Sequence, residues 1–305
     1  MQGKQEYCYA DDAGDAQISV YDASPGVEAA YVTAHMGTLD FGLFERSIQR
    51  HYLGGHYCRE GRIEQVVGNE FLYLMQGDCV VAIQDRVVKQ FHFPTKHYHG
   101  ISIGIDLDAL DGPLLSCMAA NRLSPRESAK RLCGEKNYVV LRHQTALQAF
   151  FASLYAVEEA QRTAYLPIKL PELFFLLSHV HHPHVSGAQT VSRAQVELVK
   201  AVAEEIATHI GEKITLRELT ERYNVSDTYL QSSFRSVYGM PVMSFVRAQK
   251  MQSAAQILIH TDRSVGQIAQ EMGYENESKF SAAFKKIMGD APGVYRREHS
   301  KLHIL

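Results

Sequence analysis

Ten residues in the first hundred of this chain have side chains suited to holding a small polar molecule. Arg46, Arg50, His51, Tyr52, Arg59, Arg62, His92, Lys96, His97 and Tyr98 mix cations, imidazoles and phenols, a set that orients an anionic or phenolic ligand. Among them Arg46, Arg50, His51, Tyr52, His92, His97 and Tyr98 are the candidate pocket residues for a small-molecule effector. His97-Tyr98-His99 places two imidazoles on one face of a strand, as a metal requires. A centre built on such a pair also needs a carboxylate downstream, and Gly100-Ile101-Ser102-Ile103-Gly104 supplies none, so neither metal nor cofactor is expected. His181-His182-Pro183-His184 reads as solvated linker, because a proline interrupts it and Ser186-Gly187-Ala188 follows. Cys8, Cys58, Cys79, Cys117 and Cys133 are odd in number and lack CxxC spacing, which favours buried thiols in a reducing compartment. No catalytic constellation emerges, and the chain is not expected to be an enzyme.

The elements that must position these residues are short strands. Residues 17–21, 29–33, 41–48, 70–75, 79–83 and 101–105 favour β-structure, with breaks at Ser24-Pro25-Gly26, Leu53-Gly54-Gly55, Gly68-Asn69 and Gln76-Gly77-Asp78. This β-rich stretch, 17–107, predicts a small antiparallel barrel or sandwich. Residues 108–180 then read as helical. Ser124 caps a helix with Pro125 in its first turn, and the spans 145–161 and 170–180 each carry an apolar stripe. Those stripes suit packing on the barrel, or a homodimer interface through the helices of 145–180.

A different pattern fills the last ninety residues, where one helical motif occurs twice. Leu216, Leu219, Tyr223, Val225, Leu230 and Phe234 recur at helical spacing about a break, and Val265, Ile268, Met272, Tyr274, Phe280 and Phe284 repeat the arrangement. Asn224 and Gly273 suit the left-handed turn that ends a helix, and Ser226 and Asn276 suit the cap of the next. Each copy therefore predicts a helix-turn-helix. Pro241 opens a connecting helix along Val242, Phe245, Ala248, Met251, Ala255, Leu258 and Ile259. About twenty residues at 1.5 Å rise span ~30 Å, close to the ~34 Å between successive major-groove faces of a duplex.

Residues 192–298 resemble the AraC/XylS family of transcription regulators. The most specific match is Ile268-Ala269, Gly273-Tyr274, Asn276, Ser278, Phe280-Ser281, Phe284-Lys285-Lys286, Gly289, Pro292 and Tyr295-Arg296. The resemblance implies an all-α domain of seven helices at 192–305, a linker at 181–191, and an effector-binding and dimerisation domain at 1–180, commonly a cupin-like barrel. The fold class expected is α+β. By the same resemblance Asp227, Thr228, Gln231 and Ser232 face base edges in the first recognition helix, and Glu277, Ser278, Lys279, Ser281 and Ala282 do so in the second. Gln231 carries an amide able to meet adenine in bidentate fashion. Lys279 stands where the family often has an aromatic and Ala282 where a long basic residue is common, so the second helix is expected to hold phosphate more than to discriminate bases. Arg235, Lys285, Lys286, Arg296 and Arg297 are the implied contacts to the DNA backbone.

The expected partners are double-stranded promoter DNA, an unidentified small-molecule effector and RNA polymerase, with activation the commoner mode of such proteins. A regulator that works without a ligand, under a protein partner, and an enzyme fused to a DNA-binding domain are the alternatives. At 305 residues and 46% hydrophobic content the chain suits two domains. A net charge of −3 is not that of a basic protein, so attraction to DNA must come from a local patch. The polar start and the lack of a long apolar run predict a cytoplasmic protein outside any membrane.

Overall fold

The apolar runs of the first half pair into two antiparallel sheets, seen in a computed structural model that describes residues 4–11, 14–40, 52–67, 70–84, 90–180 and 191–299. The chain divides into two units, Met1–Thr190 and Val191–Leu305. The strands of the first are β1 (Lys4–Asp11), β2 (Gly14–Ser24), β3 (Val27–His35), β4 (Thr38–Asp40), β5 (Tyr52–Gly61), β6 (Ile63–Val67), β7 (Glu70–Leu74), β8 (Cys79–Gln84), β9 (Gln90–His92), β10 (Tyr98–Asp106) and β11 (Tyr138–Leu141). Its helices are α1 (Gly112–Ala120), α2 (Pro125–Cys133), α3 (Thr145–Ala156) and α4 (Arg162–Ser178). One sheet has the order β1-β2-β3-β10-β5-β8-β11 and the other β4-β9-β6-β7.

Strand alternation sends side chains to two cores on opposite faces of the larger sheet. Ile18, Val32, Ala34, Val80 and Tyr98 point toward the smaller sheet, where Ile63, Leu72, Leu74 and Phe93 meet them. Tyr31, Tyr57, Ile101, Ile103 and Ile105 point the other way, onto Leu147, Phe150, Phe151 and Leu154 of α3 and Leu166, Leu170 and Phe174 of α4. Each such side chain, fully buried, stabilises by roughly 1.5–3 kcal/mol. The main apolar stripes of α3 and α4 are therefore spent on their own sheet, while Ile168 and Phe175 of α4 stay 72% and 50% exposed.

Four features depart from the sequence expectation. Among the described residues the two sheets are open, not a closed barrel. The β-structure begins at Lys4 rather than residue 17, because β1 is a mostly polar edge strand that packs only Tyr7 and Tyr9 against the inter-sheet core. Leu53-Gly54-Gly55 is no break: it lies inside β5, with Gly54 opposite Gly104 of β10. Tyr52 packs across that glycine pair so closely that a Cβ on Gly104 would fall 1.5 Å from its hydroxyl, a strand use of glycine that mimics a turn signal in sequence. Finally, the stretch read as wholly helical contains β11, which pairs with β8 and completes the larger sheet. The predicted strand at 41–48 and the break at Gly68-Asn69 lie outside the described residues.

The second unit is all-helical: α5 (Arg193–Thr208), α6 (Leu216–Arg222), α7 (Asp227–Tyr238), α8 (Val242–His260), α9 (Val265–Glu271), α10 (Glu277–Met288) and α11 (Pro292–His299). Among the described residues no helix is long and apolar enough to cross a membrane.

Candidate nucleic-acid interface

Two short helix pairs, α6–α7 and α9–α10, form from matching local chemistry. Thr215 and Ser264 open α6 and α9 with reciprocal capping boxes to Glu218 and Gln267. Asn224 (φ 51°) and Gly273 (φ 75°) take the left-handed turn between the helices of each pair, as their types predict. Ser226 then accepts from Tyr229 N, and Asn276 accepts from Ser278 N and Lys279 N at 2.7 and 3.3 Å, which starts α7 and α10. Behind α7, Leu230, Phe234 and Val237 are buried, and the Phe234 ring meets Phe245 of α8 at 5.5 Å. Behind α10, Phe280 and Phe284 pack with Met251, Leu258 and Ile268.

Burying those faces leaves the opposite faces to solvent. Asp227, Thr228, Ser232 and Arg235 are exposed on α7; Glu277, Ser278, Lys279, Ala282, Lys285 and Lys286 are exposed on α10, with Ser281 half-buried beside them. Each face thus carries the residue types that hydrogen-bond base edges and phosphates. Between the faces, α8 runs for 19 residues, about 28 Å at 1.5 Å per residue.

Two of the expected contact residues have other work. Gln231 is half-buried and its Oε1 accepts from Val242 N at 3.3 Å, capping α8 at a point where Pro241 has no side-chain acceptor to offer. Arg296 donates through Nε to Leu258 O at 3.0 Å and through its other arm to Arg263 O, so it ties α11 to the end of α8. Arg297 remains exposed. Sequence reasoning missed Lys250. It is buried on α8, its charged form is disfavoured by desolvation, and its Nζ donates to Glu212 O at 3.0 Å and Met272 O at 2.7 Å. One acceptor precedes the first helix pair and the other ends α9 of the second, so this single ammonium fastens both pairs to the connecting helix. A lysine at an otherwise small or apolar position of the stripe is the only signal the sequence offers for it.

Among the described residues, the candidate effector side chains do not converge. Tyr98 is buried in the inter-sheet core, stacked on Phe93 at 4.9 Å, whereas neighbouring His97 points to the opposite face beside His35 and His99. His92 meets Thr38 Oγ1 at 3.0 Å on the smaller sheet, and Tyr52 lies against Gly104 with its hydroxyl raised to about 12 by burial. Arg46, Arg50 and His51 lie outside the described residues. Missed by the sequence reading, His56 is buried in the inter-sheet space, bonded to Ser102 Oγ at 2.7 Å and pushed down to about 4 by desolvation. The thiols of Cys58 and Cys79 are raised to about 12 and that of Cys133 to about 11 by burial, which agrees with packing rather than reactive cysteines.

With this geometry in place, the family match falls on the helical unit. Residues 219–298 match the family model of a helix-turn-helix domain. The transcriptional activator RhaR of Klebsiella pneumoniae is 26% identical over 142 residues, which cover 47% of this chain and 50% of that one. AdaA of Bacillus subtilis, a bifunctional transcriptional activator and DNA repair enzyme, is 28% identical over 101 residues, 33% of this chain and 48% of that one. The solved C-terminal domain of AraT, a response regulator from Geobacillus stearothermophilus, is 32% identical with a TM-score of 0.32, covering 33% of this chain and 84% of that one. The chain spans at most about half the length of these curated relatives. Its C-terminal unit is an AraC-type helix-turn-helix domain.

Proposed function

We propose that the chain is a cytoplasmic transcription regulator whose helical unit reads two successive major grooves of promoter DNA. The observation that carries this reading is the pair of capped helices α7 and α10, each with a polar outer face, joined by one 19-residue helix. In this reading the first unit acts as a cupin-like effector domain and the regulator activates transcription with RNA polymerase as its partner; the similarity to RhaR, a transcriptional activator, supports the activating mode. Exposed Ile168 and Phe175, seven positions apart on α4, favour a homodimer through the helices of 145–180. The chain is not an enzyme in this reading; the raised thiols of Cys58, Cys79 and Cys133 speak against the repair chemistry that accompanies such a domain in AdaA.

Footprinting of the full chain on genomic promoter fragments at low salt tests the reading. Protection of two segments one helical turn apart supports it. Protection of a single groove, or of none, removes it.

A further inference from the structure

Three histidines and one glutamate gather at one end of the larger sheet, on the face away from the inter-sheet core. His35, His97 and His99 each bring a ring nitrogen within 4.8 Å of the others. Glu60 stands beside two of them: its Oε2 lies 3.6 Å from His97 Nε2 and 3.4 Å from His99 Nδ1. We infer that this cluster is a binding site for a divalent transition-metal ion of the zinc class, held by three imidazoles and one carboxylate.

The fold assembles the set from residues far apart in sequence. His97 and His99 are two apart and share a face, and the β3–β10 ladder, which pairs Tyr98 with Ala34, sets His35 beside His97. The carboxylate depends on an irregularity. The β5–β10 register pairs Gly100 with Cys58 but His99 with Glu60, so Arg59 is an extra residue in a β-bulge. Without it, Arg59 would stand opposite His99 and would set a cation against the imidazoles. Bulges commonly re-aim a side chain in this way. The displaced Arg59 lies over the Tyr155 ring at 4.2 Å and holds Glu60 Oε1 through Nε at 3.3 Å, leaving Oε2 turned to the histidines.

The chemistry of the set suits a metal. Three imidazole nitrogens and a carboxylate oxygen are ordinary tetrahedral zinc donors, and their nitrogen-rich character also accepts Co²⁺ or Ni²⁺. Asp15 Oδ2 lies 3.4 Å from His35 Nδ1, the outer carboxylate that orients a metal-bound imidazole. A tetrahedral centre with Zn–N near 2.0–2.1 Å wants its donors about 3.3 Å apart, so the cluster must close by rotation of side chains that are 27–45% exposed and free to turn. The position also separates it from a barrel-interior metal centre, because the inward neighbours here are Tyr98 and Ala34 of the apolar core.

The test is titration of the metal-stripped full chain with Zn²⁺ against a chromophoric chelator, with Co²⁺ as the spectroscopic probe. A variant lacking the other histidine-rich tract, His181→Ala with His182→Ala and His184→Ala, serves as the reference. One equivalent bound by that reference with the visible spectrum of four-coordinate Co²⁺ is expected. His97→Ala with His99→Ala should abolish it, and Asp15→Asn should weaken it about tenfold or more, the loss usual for an outer partner. Glu60→Gln, which keeps the shape, should weaken binding without altering the far-ultraviolet dichroism, so the test survives if the histidine variants misfold. A reference variant that binds no Zn²⁺ at micromolar metal, or unchanged affinity in both the Glu60→Gln and His35→Ala variants, overturns the site.

Discussion

Gln231 has two possible uses for one amide. Its Oε1 accepts from Val242 N at 3.3 Å, while a bidentate contact to adenine needs the same oxygen together with the NH₂ group. In this arrangement only the NH₂ is available to a base, and the side chain couples the reading face of α7 to the start of α8. The two uses separate on substitution. Gln231→Ala should cost about 1 kcal/mol of stability, the usual worth of a lost cap, and should also relax base preference at the first half-site. Gln231→Glu keeps the acceptor and loses the donor, so urea midpoints should stay near wild type while base preference changes. Unchanged preference in a half-site substitution series would leave Gln231 as a cap alone. His56 gives a second residue-scale expectation. Its ring is held neutral by burial, with a folded value of about 4 against 6.5 for the free side chain. A group depressed on folding contributes nothing adverse above 6.5; as pH falls below that value the unfolded chain takes the proton and the folded one does not. Stability should therefore decline between about pH 6.5 and 4, by roughly 3 kcal/mol at about 1.4 kcal/mol per unit. His56→Gln, able to keep a bond to Ser102, should flatten that part of a denaturation-versus-pH curve.

At the scale of elements, α8 is more than a spacer. Its first half is buried against α7 through Val242, Phe245 and Val246, and its second half against α9 and α10 through Met251, Ala254, Ala255 and Leu258. Lys250 stands at the join, with Glu212 O and Met272 O as its acceptors. Gly273 lies in the same contact, where an added Cβ would come within 3.0 Å of Gly211 O and 3.1 Å of Lys250 Nζ. The angle between the two helix pairs is thus set by a packed contact as well as by the length of α8. Lys250→Met should cost about 1–3 kcal/mol, since two carbonyls lose a charged donor. In band-shift titrations it should lower affinity for the two-groove site more than for a single half-site; equal losses on both would refute an orienting role. Much of this unit is legible in the sequence because its signals are local: a 3.6-residue period, a cap at each start and a left-handed residue at each turn. The strands are less so. β1 turns only Tyr7 and Tyr9 toward the core, β5 hides behind Gly54-Gly55, and β11 is a four-residue apolar run between helices. The histidine cluster is least legible of all, because its residues come from β3, β5, β10 and the position just before β10, and meet only through a ladder register and a bulge.

For the whole molecule, the balance of charge decides how DNA is approached. A chain of net charge −3 is weakly repelled by a polyanion at long range, so binding must rest on a local group of cations and must weaken steeply with salt. The exposed cations beside the reading faces are Arg235 at the end of α7, Lys279, Lys285 and Lys286 on α10, and Arg297 on α11. Arg296 belongs to a different class despite its neighbour, since its guanidinium is committed to Leu258 O and Arg263 O. The two classes predict different behaviour. Each phosphate contact removed should flatten the plot of log affinity against log salt by about 0.9, so Lys285→Ala with Lys286→Ala should reduce the slope by about 1.8 and leave the urea midpoint nearly unchanged. Arg296→Ala should do the reverse, lowering the midpoint while the slope holds. Affinity measured over a salt series for the full chain and both variants checks the pair together. A slope insensitive to Lys285 and Lys286 would move the phosphate contacts to Arg235, Lys279 and Arg297, and with them the edge of α10 that faces the duplex.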